Sequence, residues 1–190
     1  MNQNTLFIAR MSLFIALTLV IQIPGLPQAV TGPLINAVLF IITVVQGPLA
    51  GVALGLITPL VALIRGQLPV ILAPMIPFIM LGNASLVLIY WILTSKFNLS
   101  LRRSWLLLIP VALSAAAKTV LLWLSVRYAI PLFIGQRLPT PVEVMMAFPQ
   151  FITAMAGGIL FLVFLRLTGK WILLSTVQPL PRDASRGSSD

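Results

Sequence analysis

The chain has 190 residues, 59% of them hydrophobic and 8% charged, with a net charge of +9 and a mean hydropathy of +1.09. That composition excludes an ordinary soluble domain and points to a polytopic α-helical membrane protein, with room for one bundle of about five to seven helices at about 20 apolar residues per crossing. Cysteine and histidine are absent, so disulfides, thiol catalysis and Cys-based metal sites are excluded, and no cofactor is expected.

In chain order, six helices are predicted, over residues 5–23, 31–46, 48–64, 77–94, 105–128 and 144–167. The first could pass for a signal peptide, with Arg10, an apolar core and then small residues. Its length favours an uncleaved span. The breaks fall at turn chemistry: Pro24-Gly25 with Pro27, Gly47-Pro48, Gly66 to Pro69, Asn98 to Arg103 and Pro131 to Pro141. The second and third segments are short and joined only by Gly47-Pro48, which suggests tilting or burial within protein. Pro59 should kink the third segment, because proline removes a backbone donor. Pro69, Pro74 and Pro77 predict a stiff, irregular lead into the fourth.

The fold class expected is therefore all-α, a six-helix transmembrane bundle in a single domain over residues 1–175. A polar, disordered cytoplasmic tail is expected over 176–190. With the N-terminus inside, Arg10, Lys96, Arg102, Arg103, Arg166, Lys170, Arg182 and Arg186 lie on the inner side. Arg65, Arg127 and Arg137 lie outside, and the excess of basic residues inside predicts that both termini are cytoplasmic. The basic residues thus read as topology anchors and contacts to the lipid bilayer. Aromatic residues are not interleaved with them, which excludes a nucleic-acid surface.

What is missing narrows the chemistry. Residues 11–95 carry one charge, Arg65, and the acidic residues are Glu143, Asp183 and Asp190, none within a predicted span. Proton relays are usually built from intramembrane carboxylates or imidazoles, so a proton-driven pump does not fit. Intramembrane acid–base catalysis lacks its groups as well, and the chain reads as a non-enzyme. Ser114 and Lys118, four apart on one helical face, are the remaining catalytic pairing, with nothing else to mark a nucleophile.

Lys118 is the sharpest residue. It stands about 15 Å from the outer end of its helix at 1.5 Å per residue, near mid-membrane, where lysine costs at least about 2.5 kcal/mol. It either snorkels to an interface or faces a polar cavity that takes an anionic or carbonyl-bearing ligand. Asn36 and Asn83 fall at matching outer depth, and buried asparagines can bind ligand or bridge helices. Gln150 lies at similar depth and Gln22 ends the first helix on the outer side. These groups converge on one outward-facing pocket, formed by Asn36, Asn83, Lys118 and Gln150 with Gln22, and with Arg65 and Arg127 near its mouth.

Small residues four apart allow helices to approach closely. The spacing occurs at Gly47, Gly51 and Gly55, at Ala112 and Ala116, and at Ala154 and Gly158, where ordinary packing explains it. Ser12 and Ala16, on a helix with few other features, form the best stripe for an external partner.

Several stretches taken together are similar to the substrate-binding S component of energy-coupling factor (ECF) transporters. They are ARMSLFIAL over 9–17, TGPLINA over 31–37, GPLAGVALG over 47–55 with Thr58-Pro59, and APMIP over 73–77 leading to Leu81-Gly82-Asn83. The first half carries the resemblance closely, the second half mainly by hydropathy. The resemblance implies a multi-pass protein of a bacterial or archaeal cell membrane that captures a small-molecule micronutrient, such as a vitamin, from outside. It implies docking on a T component that carries two cytoplasmic ATPase subunits, whose ATP hydrolysis topples the S component so that its pocket opens inward. The family's Ala-x-x-x-Ala docking motif falls on Ser12 and Ala16, with serine in the first place. The missing carboxylates agree with an external energy source, and the chain has no Gly-x-x-x-x-Gly-Lys-Ser/Thr loop with which to hold ATP itself. Two other readings remain at this point: a stand-alone facilitator or channel, and a non-transport membrane assembly protein in which Lys118 and the asparagines only bridge helices. An anionic cargo is the lean of the basic residues, and its identity is not written in the chain.

Overall fold

The computed structural model describes residues 2–97 and 105–176. Arg102, Arg103 and the tail from residue 177 onward lie outside them. Every regular element among the described residues is helical. The long ones are α1 (Gln3–Gln22), α2 (Gln28–Gln46), α3 (Pro48–Ile64), α4 (Ile76–Lys96), α5 (Leu108–Leu124) and α8 (Phe148–Thr176). A 3-10 turn (Val70–Met75) leads into α4. A π-helical turn (Ser125–Ala129) joins α5 to the short α6 (Ile130–Ile134), and α7 (Thr140–Met145) precedes α8.

Among the described residues, five helical stretches are long and apolar enough to cross a membrane, and α3, at 17 residues, is a shorter apolar helix beside them. This is the six-helix membrane bundle expected. The boundaries shift where proline was read too strictly. Pro131 sits at the first turn of α6, so the fifth span continues to Ile134, while Pro33 lies inside α2 as the predicted second segment has it. A proline near a helix start sacrifices a donor that has no partner there anyway. The last span begins earlier, because α7 adds a turn before Phe148. The irregular stretch before α4 is present as the 3-10 turn around Pro74.

Helix α2 is the centre of the bundle. Half of its span is buried, against 11% for α1. It packs on α8, α3 and α1, while α4 lies between α3 and α5, and α5 returns to α8. Gly47, at φ 93°, makes the sharp turn from α2 to α3, a left-handed conformation that glycine adopts without a Cβ clash. Gly157 brings α8 against the backbone of α2. A Cβ there would stand 2.6 Å from the Pro33 carbonyl oxygen and 2.9 Å from the Ala37 nitrogen. Without an apolar drive between helices in lipid, such close packing supplies the association.

Two apolar clusters divide the bundle along its length. One gathers Phe40, Leu54, Tyr90, Val111 and Phe161, with Phe40 and Tyr90 edge to face at 5.0 Å. The other, built from Leu72, Met75, Leu122, Val126, Val142 and Met146, packs the 3-10 turn and α7 onto α5. The chain's polar cavity lies at the end of the bundle where this second cluster sits, among the C-terminal ends of α1 and α3 and the N-terminal ends of α2 and α8.

Candidate functional site

The centre of the cavity is a lysine held by two amides. Lys118 Nζ donates to Asn36 Oδ1 at 2.7 Å and to Asn83 Oδ1 at 2.8 Å, although these partners lie 82 and 35 residues away in the chain. All three residues are buried: Lys118 is 4% exposed, Asn36 2% and Asn83 3%. The stem of Lys118 passes Gly82, where a Cβ would lie 3.4 Å from its Cγ. Glycine thus leaves room for the methylenes to run along α4 toward the asparagines. Hydrogen bonds to a charged group contribute about 1.5–3 kcal/mol each, and two of them offset part of the cost of burying the amine.

The orientation of Asn83 follows from a proline. Pro59 has no backbone N–H, so the Gly55 carbonyl one turn earlier loses its helical donor. Asn83 Nδ2 fills that role, donating to Gly55 O at 3.0 Å and to Thr58 Oγ1 at 3.2 Å. With its amide nitrogen engaged by α3, Asn83 must turn its oxygen to Lys118. Helix α3 remains continuous from Pro48 to Ile64 across Pro59, since the vacated carbonyl is satisfied by Asn83 from α4 and by the Thr58 hydroxyl of α3 itself at 3.3 Å. Gln22 Nε2 adds a bond from α1 to Thr58 O at 3.2 Å. One lysine, two asparagines, one threonine and one glutamine therefore tie α1, α2, α3, α4 and α5 together.

These groups line a cavity of about 110 Å³, together with Thr31, Gln67, Leu68, Ile79 and Gln150. The volume is small beside the roughly 300–1,000 Å³ of drug-sized ligand sites. Among the described residues no carboxylate lines it, and Lys118 is the one ionisable side chain that does. Of the expected site residues, Asn36, Asn83, Lys118 and Gln150 meet at this cavity. Gln150, 7% exposed, sends its Nε2 to the Met145 carbonyl at 3.4 Å.

Arg65 and Arg127 do not line it. Arg65 is exposed and its Nη2 reaches the Ile23 carbonyl at 3.4 Å, placing a cation at the C-terminal end of α1, where the helix dipole favours one. Arg127 pairs with Glu143 at 3.5 Å, joining the π-helical turn to α7. Ser114 and Lys118 do not form a dyad: the serine hydroxyl donates to the Val111 carbonyl at 2.9 Å, while the lysine is engaged by the asparagines. Ser12 and Ala16 are both exposed, on the helix that buries least of itself.

Sequence reading missed Thr58, Gln67 and the Gly55 carbonyl as members of this site. A signal for two of them was present. A proline at position 59 orphans the carbonyl at 55, and polar side chains, Thr58 on the same helix and Asn83 on its neighbour, supply donors.

A family model described as "ECF transporter, substrate-specific component" matches residues 6–169. No curated protein and no solved structure matches the chain.

Proposed function

The chain belongs to the family of ECF transporter substrate-specific components, multi-pass membrane subunits that bind substrate and are not enzymes, and we propose that it captures an anionic micronutrient of the vitamin type at the Lys118 cavity. The observation that carries this reading is the buried Lys118 amine between the oxygens of Asn36 and Asn83, in a cavity that no carboxylate lines among the described residues. An ammonium has three donors, and two are spent on the asparagines. The third donor and the uncompensated charge are left for a ligand that brings its own anion. Gln150 lines the same space and contacts the ligand in this reading. Arg65 and Arg127 act on the approaching anion through their field, from the same end of the bundle, not by contact.

The remaining parts of the proposal concern energy and place. The protein sits in a bacterial or archaeal cell membrane with both termini in the cytoplasm. It docks through Ser12 and Ala16 on a T component bearing two ATPase subunits. The exposure of that stripe supports the reading, since a close helix partner needs small residues on an accessible face. The test is uptake into proteoliposomes of the small molecule that co-purifies with the protein, identified by mass spectrometry. Accumulation should require the T component and active ATPases. Concentrative uptake that persists with inactivated ATPases would refute the proposal in favour of a stand-alone transporter.

A further inference from the structure

Two buried polar atoms at the cavity lack a hydrogen-bond partner in the protein: Gln22 Oε1, an acceptor, and Gln67 Nε2, a donor. Gln22 is 3% exposed. Buried polar groups are paired in the great majority of native proteins, so each exception calls for a reason. The other buried unpaired side-chain atoms among the described residues belong to Gln46 and Tyr90, and neither residue lines the cavity. The two that do are complementary to each other in kind, an amide oxygen and an amide nitrogen from different parts of the chain. The orientation of Gln22 is held by its own nitrogen, which donates to the Thr58 carbonyl at 3.2 Å. Its oxygen therefore remains the free end.

We infer that the cavity recognises a short organic anion whose uncharged part carries one hydrogen-bond donor and one acceptor, as an amide does, with the donor on Gln22 Oε1, the acceptor on Gln67 Nε2 and the anion on Lys118. This rests on the proposed anion site at Lys118 and adds the second half of the ligand. A site built to hydrogen-bond a polar group rejects the analogue that lacks it, because its own buried groups are then left unpaired. Gln22 and Gln67 are thus specificity residues, and Lys118 supplies attraction common to every anion that fits. The cavity volume of about 110 Å³ keeps the ligand portion between these groups short.

Three probes of matched chain length separate the two claims: N-acetylglycine, which has carboxylate and amide; pentanoate, which has only the carboxylate; and N-acetylglycinamide, which has no anion. Binding to the full chain purified in detergent is read by calorimetry or ligand-observed NMR. N-acetylglycine should bind about tenfold more tightly than pentanoate. Gln22→Met and Gln67→Met, tested singly, should each shrink that preference, weakening N-acetylglycine more than pentanoate. Lys118→Met should weaken both acids by more than it weakens N-acetylglycinamide. Equal binding of pentanoate and N-acetylglycine, with Lys118→Met still weakening both, overturns the amide inference and leaves the anion site standing. N-acetylglycinamide binding as well as N-acetylglycine overturns the anion site itself. Failure of all three probes to bind in the millimolar range overturns both.

Discussion

Replacing Gly157 by alanine should damage the ligand site through the crossing of α8 on α2, where Asn36 itself lies. A Cβ at this position would stand 2.6 Å from the Pro33 carbonyl oxygen, 2.7 Å from Asn36 Cβ and 2.9 Å from the Ala37 nitrogen. Two of these atoms are backbone, which cannot rotate away. Ordinary Cβ contacts begin near 3.4 Å, so α2 and α8 must part by up to 0.8 Å at the crossing. If Asn36 follows α2, its 2.7 Å bond to Lys118 Nζ lengthens toward 3.5 Å, the limit of a useful hydrogen bond. Overpacking of this kind costs about 1–3 kcal/mol, which corresponds to a fall in melting temperature of roughly 2–10 °C for a chain of this size. Affinity for the co-purifying ligand should fall about tenfold or more, as expected when a hydrogen bond to a charged group, worth about 1.5–3 kcal/mol, is lost. Thermal unfolding and binding in the same detergent measure both. Leu160→Ala on the same helix is the control, because that side chain is 44% exposed and faces away from the packed interior. A Gly157→Ala protein with the parent's melting temperature and affinity would refute the claim that this crossing positions Asn36.

Two other perturbations separate packing from function. Pro59→Ala restores a backbone donor to Gly55 and relieves the roughly 3 kcal/mol helix penalty of proline, but releases Asn83 Nδ2 from one of its acceptors. Its melting temperature should not fall while ligand affinity drops severalfold; unchanged affinity would mean that Asn83 needs no alignment from α3. Ala16→Leu places a bulky side chain on the exposed stripe of α1 and should abolish co-purification with a T component while ligand binding is retained. Normal assembly of that variant would sink the docking assignment.

The six helices were legible because hydropathy and turn chemistry are local. Helix α3 begins and ends where Gly47-Pro48 and the stretch from Gly66 to Pro69 predicted, since glycine and proline act on their own backbone. The fifth span was read too short because Pro131 looked like a stop, whereas at the first turn of α6 it breaks no needed bond. Asn36, Asn83, Lys118 and Gln150 stood out because polar groups are scarce in apolar spans and each needs a partner. That Arg65 reaches the end of α1 was not legible: its acceptor, the Ile23 carbonyl, is 42 residues earlier and is a backbone atom that any residue would offer.

By itself the sequence determined the solvent of the fold, the number of helices and the short roster of polar residues to be explained, because each follows from the composition of a contiguous segment. Only the tertiary structure decided who meets whom. It set Lys118 between two asparagine oxygens, gave the carbonyl vacated by Pro59 to Asn83 and left Gln22 and Gln67 with an unspent acceptor and donor at one cavity. Hydrogen bonds between helices join residues far apart in the chain. Their pairing depends on helix rotation and crossing points such as Gly157, which no local periodicity encodes.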